Sequence, residues 1–192
     1  MPQWFTHLSL MFAVVGCANM GTEITKANHH IRMSGYSVVI PPDQGWHLQR
    51  DDAGESARLI KKIDLIIWQM WFLRNTINND LLIAATAKEV ADHFRQLDVQ
   101  VMIEEGVKKG KYQLRDIKMG EETVGGRIFY TMEHVIITAA LFQRMNMYLY
   151  FPRPRNNRYF FIAHYSEAMP PSVTAKSYKD EFLRVLATFE FK

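Results

Sequence analysis

The sequence predicts an α+β domain in which an antiparallel sheet is covered by helices, an α-β-α sandwich. Three observations predict it. Apolar runs of strand length, rich in aromatic and β-branched residues, recur from Tyr36 to Ser166. A single strong helix start, Thr86 with Glu89 three residues later, interrupts them. A second amphipathic stripe follows Pro170-Pro171 and closes the chain. Strands, a helix, a meander of strands and a closing helix suit a sheet with segregated helices better than alternating βαβ units.

Taken in order, Tyr36 to Ile40 reads as a short strand stopped by Pro41-Pro42, because proline has no amide donor for a ladder. Asp43-Gln44-Gly45 is turn chemistry, and Trp46 to Arg50 alternates as a second strand. Over Ala57–Ile77 the spacing of Leu59, Ile60, Ile63, Ile66, Ile67, Met70 and Trp71 also suits a helix, but the favoured reading is a hairpin of Arg58 to Ile63 and Leu65 to Thr76. The second arm, apolar on both sides, suits a strand buried on two faces. Thr86 and Glu89 form a capping box, and Val90, Phe94, Leu97 and Val101 follow at helical spacing. Gly106 and Gly110 with Lys108 and Lys109 suit the helix end. Four strands are then expected at Tyr112–Met119, Gly126–Ile137, Ala140–Phe151 and Tyr159–Ser166, with a turn over Gly120–Gly125. A helix over Val173–Thr188 presents Tyr178, Phe182, Val185 and Leu186 on one side, and Phe189-Glu190-Phe191 alternates as a last short strand.

The composition excludes several classes. With 192 residues, 48% hydrophobic and 22% charged, the chain is one ordinary globular domain's worth. A formal charge of +3 is too small for the dense basic face that nucleic-acid binding needs, so no nucleic-acid partner is expected. One cysteine rules out a disulfide framework or a thiolate zinc cluster.

That cysteine sits at an informative place. Residues Met1 to Thr22 carry no Lys, Arg, Asp or Glu, and the apolar run Leu8 to Gly16 ends on Cys17. Nine helical residues rise about 14 Å, well short of a bilayer core of about 30 Å, but the length suits the apolar region of a signal peptide. The string Val14-Val15-Gly16-Cys17 resembles the lipobox of a bacterial lipoprotein precursor. The resemblance implies cleavage between Gly16 and Cys17, acylation of Cys17 and a membrane partner engaged through acyl chains. Ala18 after the cysteine points to the outer rather than the inner membrane of the cell envelope. The expected organisation is a signal peptide over 1–16, a lipidated tether over 17–33 and a single α+β domain over 34–192.

Within that domain, three strings resemble the Mog1/PsbP-like fold: Gly35 to Pro41 followed by Trp46, Arg158 to Ile162, and Phe182 to Phe189. The resemblance implies a binding or assembly factor with no shared catalytic residues, and no cofactor.

The residues themselves bring no catalytic motif. There is no Gly-x-Ser-x-Gly elbow and no His-Glu-x-x-His, and Gly125-Gly126 lies between strands, where a tight turn accounts for it. Of seven histidines, His47, His134 and His164 fall on predicted strands, while His29-His30 lies in the tether with adjacent side chains pointing apart. Spacing demands no metal site. Glu89, Asp92 and His93, together with Glu104-Glu105 and Glu121-Glu122, read as solvated surface.

One charge asymmetry remains. Between Glu133 and Glu167 there is no acid, whereas Arg144, Arg153, Arg155 and Arg158 are basic, three of them in the connection 152–158. This is a candidate anion-facing loop for lipid phosphates or an acidic partner, the alternative being a soluble hairpin tip. The function expected is a lipid-anchored, non-catalytic binding or assembly module with an envelope protein partner. The alternatives are a carrier of a small apolar ligand, suggested by Trp46, Trp68, Trp71, Phe72 and 11 methionines, and an enzyme with a dispersed site drawn from Glu133, His134 and His164.

Overall fold

The computed structural model describes residues 21–51, 54–77, 85–152 and 158–191. Eleven strands and two helices are seen among these residues: β1 (Thr22–Glu23), β2 (His30–Met33), β3 (Tyr36–Val39), β4 (His47–Arg50), β5 (Ser56–Ile63), β6 (Ile66–Thr76), α1 (Ala87–Met102), β7 (Gln113–Val124), β8 (Arg127–Ile137), β9 (Phe142–Tyr150), β10 (Tyr159–Met169), α2 (Lys179–Ala187) and β11 (Glu190–Phe191). The main sheet has eight strands in the order β1-β4-β5-β6-β10-β9-β8-β7, and a small sheet has the order β11-β3-β2. Every recorded pairing is antiparallel. The fold is α+β, with a large sheet and few helices.

Alternation along the strands divides the interior in two. On one face, Phe161, Ala163 and Tyr165 of β10 pack with Trp68, Met70 and Phe72, with the small sheet and with Phe182, Val185 and Leu186 of α2. On the other, Phe160 and Ile162 meet Met132, Met147, Leu149 and α1, through Val90, Ala91 and Met102. Strand β10 is buried along almost its whole length because it has cover on both sides.

The helix start expected at Thr86 is found. The Glu89 amide donates to Thr86 Oγ1 at 3.1 Å and the Thr86 amide donates to Glu89 Oε2 at 2.5 Å. Past Met102 the helix widens into a π turn over Ile103–Val107. There the Tyr112 hydroxyl donates to the Met102 carbonyl at 3.0 Å, and the ring lies so close to Gly106 that a Cβ would fall 1.9 Å from it.

Three expectations are corrected. Residues 22–33, read as tether, supply β1 and β2, because Ile24 and Ile31 are fully buried in the first core. The break foreseen over Gly120–Gly125 shrinks to Gly125-Gly126, since β7 runs on to Val124 as an edge strand whose outer side tolerates polar residues. The last helix begins at Lys179 rather than Val173. The residues before it are tied down by β10, where the Tyr165 hydroxyl accepts from the Tyr178 amide at 2.7 Å and Glu167 accepts from the Ser177 hydroxyl.

Candidate functional site

Strands β8, β9 and β10 run side by side under α1, and their register defines a small lattice of side chains on the α1 face. Met132 of β8 pairs with Met147 of β9, which pairs with His164 of β10. One step along, His134 pairs with Met145, which pairs with Ser166. Directly opposed side chains in an antiparallel pair stand about 4.5–5.5 Å apart at Cβ. The two histidines therefore occupy opposite corners, with two thioethers on the strand between them.

The imidazoles are nearly sealed from water: His134 is 3% exposed and His164 6%. Neither ring nitrogen of either residue has a hydrogen-bond partner among the described residues. Buried polar atoms normally find partners, and each one left without costs free energy. Nearby on β9, Gln143 Oε1 is likewise unpartnered. Burial pushes both histidines down, His134 to about 4 and His164 to about 3, with His134 adding to the effect on its neighbour. Both rings are neutral at pH 7, so their lone pairs are free. Trp71 of β6 stacks on the His164 ring with centroids 5.6 Å apart. Met145, half-buried, lies nearest to solvent.

Of the dispersed His/Glu set, His134 and His164 come together and Glu133 does not. Adjacent residues of a strand point to opposite faces, and the Glu133 carboxylate is ion-paired with Lys179 of α2 on the far side. His47 shares the face of His134, but β5 and β6 separate it from β10. His29 lies between the turn at 26–28 and β2, the His29 and His30 rings meet edge to face at 4.3 Å rather than pointing apart, and His29 Nδ1 lies 2.8 Å from the Lys26 carbonyl. Among the described residues no three His, Cys, Asp or Glu side chains converge on a metal position.

Of the aromatic residues of the carrier reading, Trp46, Trp68 and Phe72 are core, whereas Trp71 is half-buried. Trp46 is fully buried with its Nε1 donating to Glu181 Oε1 at 2.5 Å, and Trp68 donates to the Lys176 carbonyl at 3.2 Å. Of the surface acids, Glu104 and Glu105 pair with Lys108 and Lys109, and Glu122 accepts from the Tyr148 hydroxyl at 2.8 Å. An open groove of about 400 Å³ between α1 and β7 is lined by Lys88, Asp92, Arg95, Met119, Gly120 and Glu121. Its floor is held by Arg95, whose guanidinium donates to the Gly120 and Thr131 carbonyls at 2.9 and 2.8 Å and pairs with Asp92.

Gly16, Cys17, Arg153 and Arg155 lie outside the described residues. Arg158 is described, and its carbonyl accepts from the Ile77 amide at 2.7 Å. Among the described residues no helix is long and apolar enough to cross a membrane.

Fold and lattice define an α+β domain with a buried pair of neutral imidazoles beside two thioethers. No protein-family model and no curated protein matches the chain. Among solved structures it is similar to the solution structure of cyanobacterial PsbP (CyanoP) from Synechocystis sp. PCC 6803, with 14% identity over 95% of this chain and 99% of that one, at a TM-score of 0.48.

Proposed function

We propose that the chain is a lipid-anchored protein of the bacterial cell envelope whose folded body is a binding or assembly module. In this reading it is cleaved before Cys17 and held at the membrane by acyl chains on that residue. The observation that supports it is a matter of strand direction. Thr22 of β1 pairs with Leu48, so the chain enters the sheet from the end at which β4 finishes. That same end holds the start of β5 and the end of β6, where Thr76 pairs with Tyr159 at the start of β10. Strand β9 ends there too, Tyr150 pairing with Phe161 near the start of β10, and Arg153, Arg155 and Arg158 follow Tyr150 in the sequence.

Thr22, five residues after Cys17 in the sequence, and Tyr150 and Tyr159, which flank the basic connection in the sequence, thus lie at one end of the sheet. Five residues from Cys17 to Thr22 span at most about 17 Å, so a body anchored there stands directly on the bilayer. Two or more acyl chains hold it stably, and each arginine close to an anionic surface contributes about 1 kcal/mol within a Debye length. The other end of the sheet, with Leu65 69% exposed between β5 and β6, then faces away from the lipid toward an envelope partner. An outer-membrane address and a Mog1/PsbP-like fold of the body belong to the same proposal. They rest on Ala18 and on the strings that form β3, the start of β10 and α2.

Intact mass of the native protein tests the reading. Loss of residues 1–16 with added acyl mass is expected, together with release of a Cys17→Ser variant from membranes. A full-length, unmodified chain in the soluble fraction overturns it. Replacing Arg153, Arg155 and Arg158 with Ser is expected to weaken adsorption to anionic liposomes, and unchanged adsorption removes the basic connection from the proposal.

A further inference from the structure

The geometry points to a binding site for a soft monovalent cation, Cu(I), formed by His134, Met145, Met147 and His164 on the α1 face of β8, β9 and β10. The inference stands apart from the lipid anchor and does not depend on it.

Four features carry it. The four side chains are consecutive neighbours on one face of three adjacent strands, fixed by the pairs His134 with Met145 and His164 with Met147. Strands lie about 4.8 Å apart and alternate residues about 6.8 Å apart along a strand. The corner histidines therefore stand about 12 Å apart at Cα, a gap two inward-leaning imidazoles bonded to one ion can close. Second, all four imidazole nitrogens are buried without partners among the described residues, and a metal would satisfy one on each ring. Third, burial keeps both rings neutral at pH 7, the form that ligates. Fourth, the remaining donors are thioethers.

Donor chemistry selects the ion. Thioether sulfur is soft and prefers Cu(I), whereas zinc sites use thiolate, imidazole and carboxylate, and calcium and magnesium need oxygen. Among the described residues no third His, Cys, Asp or Glu joins the two histidines at a metal position, and Glu133 faces away toward Lys179. Two neutral nitrogens and two neutral sulfurs leave a single positive charge in an apolar setting, which a divalent ion would double. Ser166 and the unpartnered Gln143 Oε1 lie beside the lattice as groups able to orient a ring. Met145, half-buried, offers the way in from solvent.

The test uses the full chain carrying Cys17→Ser, so that no thiol competes, without oxygen and with a reductant that keeps copper monovalent. Cu(I) is titrated against a chromogenic chelator, and Ag(I) serves as a redox-inert probe. One equivalent bound per chain is expected, with quenching of the tryptophan emission that disappears in a Trp71→Phe variant. Met145→Leu with Met147→Leu, near-isosteric changes, is expected to weaken binding by more than about 100-fold, the upper end of the loss from disturbing a group that merely supports a ligand. Failure of the unsubstituted lattice to bind one equivalent, equal affinity in the Leu variant, or Zn(II) binding as tight as Cu(I) each overturns the assignment. Should the Leu variant not fold, methionine methyl resonances of the Cys17→Ser chain decide: shifts on Ag(I) addition at Met145 and Met147 support the site, and shifts only at other methionines refute it.

Discussion

The indole of Trp71 lies over the imidazole of His164, with ring centroids 5.6 Å apart and planes 25° from parallel. This stack fills the space beside a histidine that has no hydrogen bond among the described residues, and keeps it out of water. A neutral buried histidine makes the protein's stability depend on pH.

The sign follows from proton counting. Below the ordinary value of 6.5 the unfolded chain protonates His134 and His164, while the folded protein leaves them neutral down to about 4 and about 3. Stability is therefore full above pH 6.5 and falls as pH drops toward 4. Asp98, raised by burial from 3.8 to about 6, opposes part of this slope over its own range. The net expectation is a loss of about 1 kcal/mol per pH unit between pH 6 and 4. Thermal unfolding across this range measures it. A double variant, His134→Gln with His164→Gln, with the same slope would contradict the assignment.

Asp98 itself offers a second test. The carboxyl sits in α1 at 9% exposure, and burial is the cause of its raised value. Its preference for the protonated form favours folding below pH 3.8, and that contribution is lost as pH rises through about 6. Asp98→Asn is accordingly expected to stabilise the protein by about 1–3 kcal/mol at pH 8. The gain should vanish near pH 4. A melting temperature unchanged or lowered at pH 8 would show that the carboxylate is better solvated than its surroundings suggest.

Trp46, just before β4, and Glu181 of α2 are joined by one buried hydrogen bond. Glu181→Leu strands the indole donor in the core and is expected to cost about 1–3 kcal/mol. Glu181→Gln retains an acceptor and should cost less than half as much. Chemical denaturation of the two variants compares them directly; equal losses would mean that packing rather than the hydrogen bond matters.

The β7–β8 turn supplies a contrast between neighbours. Gly125 has φ +56° and Gly126 φ +75°, both left-handed. At Gly125 a Cβ would lie 2.7 Å from the Ala187 carbonyl oxygen at the end of α2, whereas at Gly126 nothing lies within 4 Å. Gly126→Ala should cost about 1 kcal/mol of backbone strain. Gly125→Ala adds a collision with backbone and should cost at least about 1 kcal/mol more. Melting temperatures rank the two, and the reverse order would refute the close approach of turn and helix.

Much of this architecture is legible in the chain. The capping box at Thr86 and Glu89 is local chemistry and appears as read. The hairpin of β5 and β6 is found, but its second arm, read as buried on two faces, is buried on one: Trp68, Met70 and Phe72 are core, while Ile67, Gln69, Trp71 and Leu73 on the other face are half-buried. Residues 22–33 are harder to read, because Ile24 stands alone among polar neighbours and the alternation of Ile31 with Met33 is only one repeat long. The separation of Glu133 from His134 was available from strand alternation alone. What no spacing could supply was Met145 and Met147 between the two histidines.

Local order, then, is written in the sequence itself: which segments extend, where α1 starts and which residues of each strand share a face all follow from short-range sterics, capping and alternation. The insertion of β10 between β6 and β9, and with it the meeting of His164 with Met147 and of His134 with Met145, belongs to the tertiary structure alone. Strand order and register are set by which whole faces become buried together. That sum runs over residues far apart in the chain, and no single stretch encodes it.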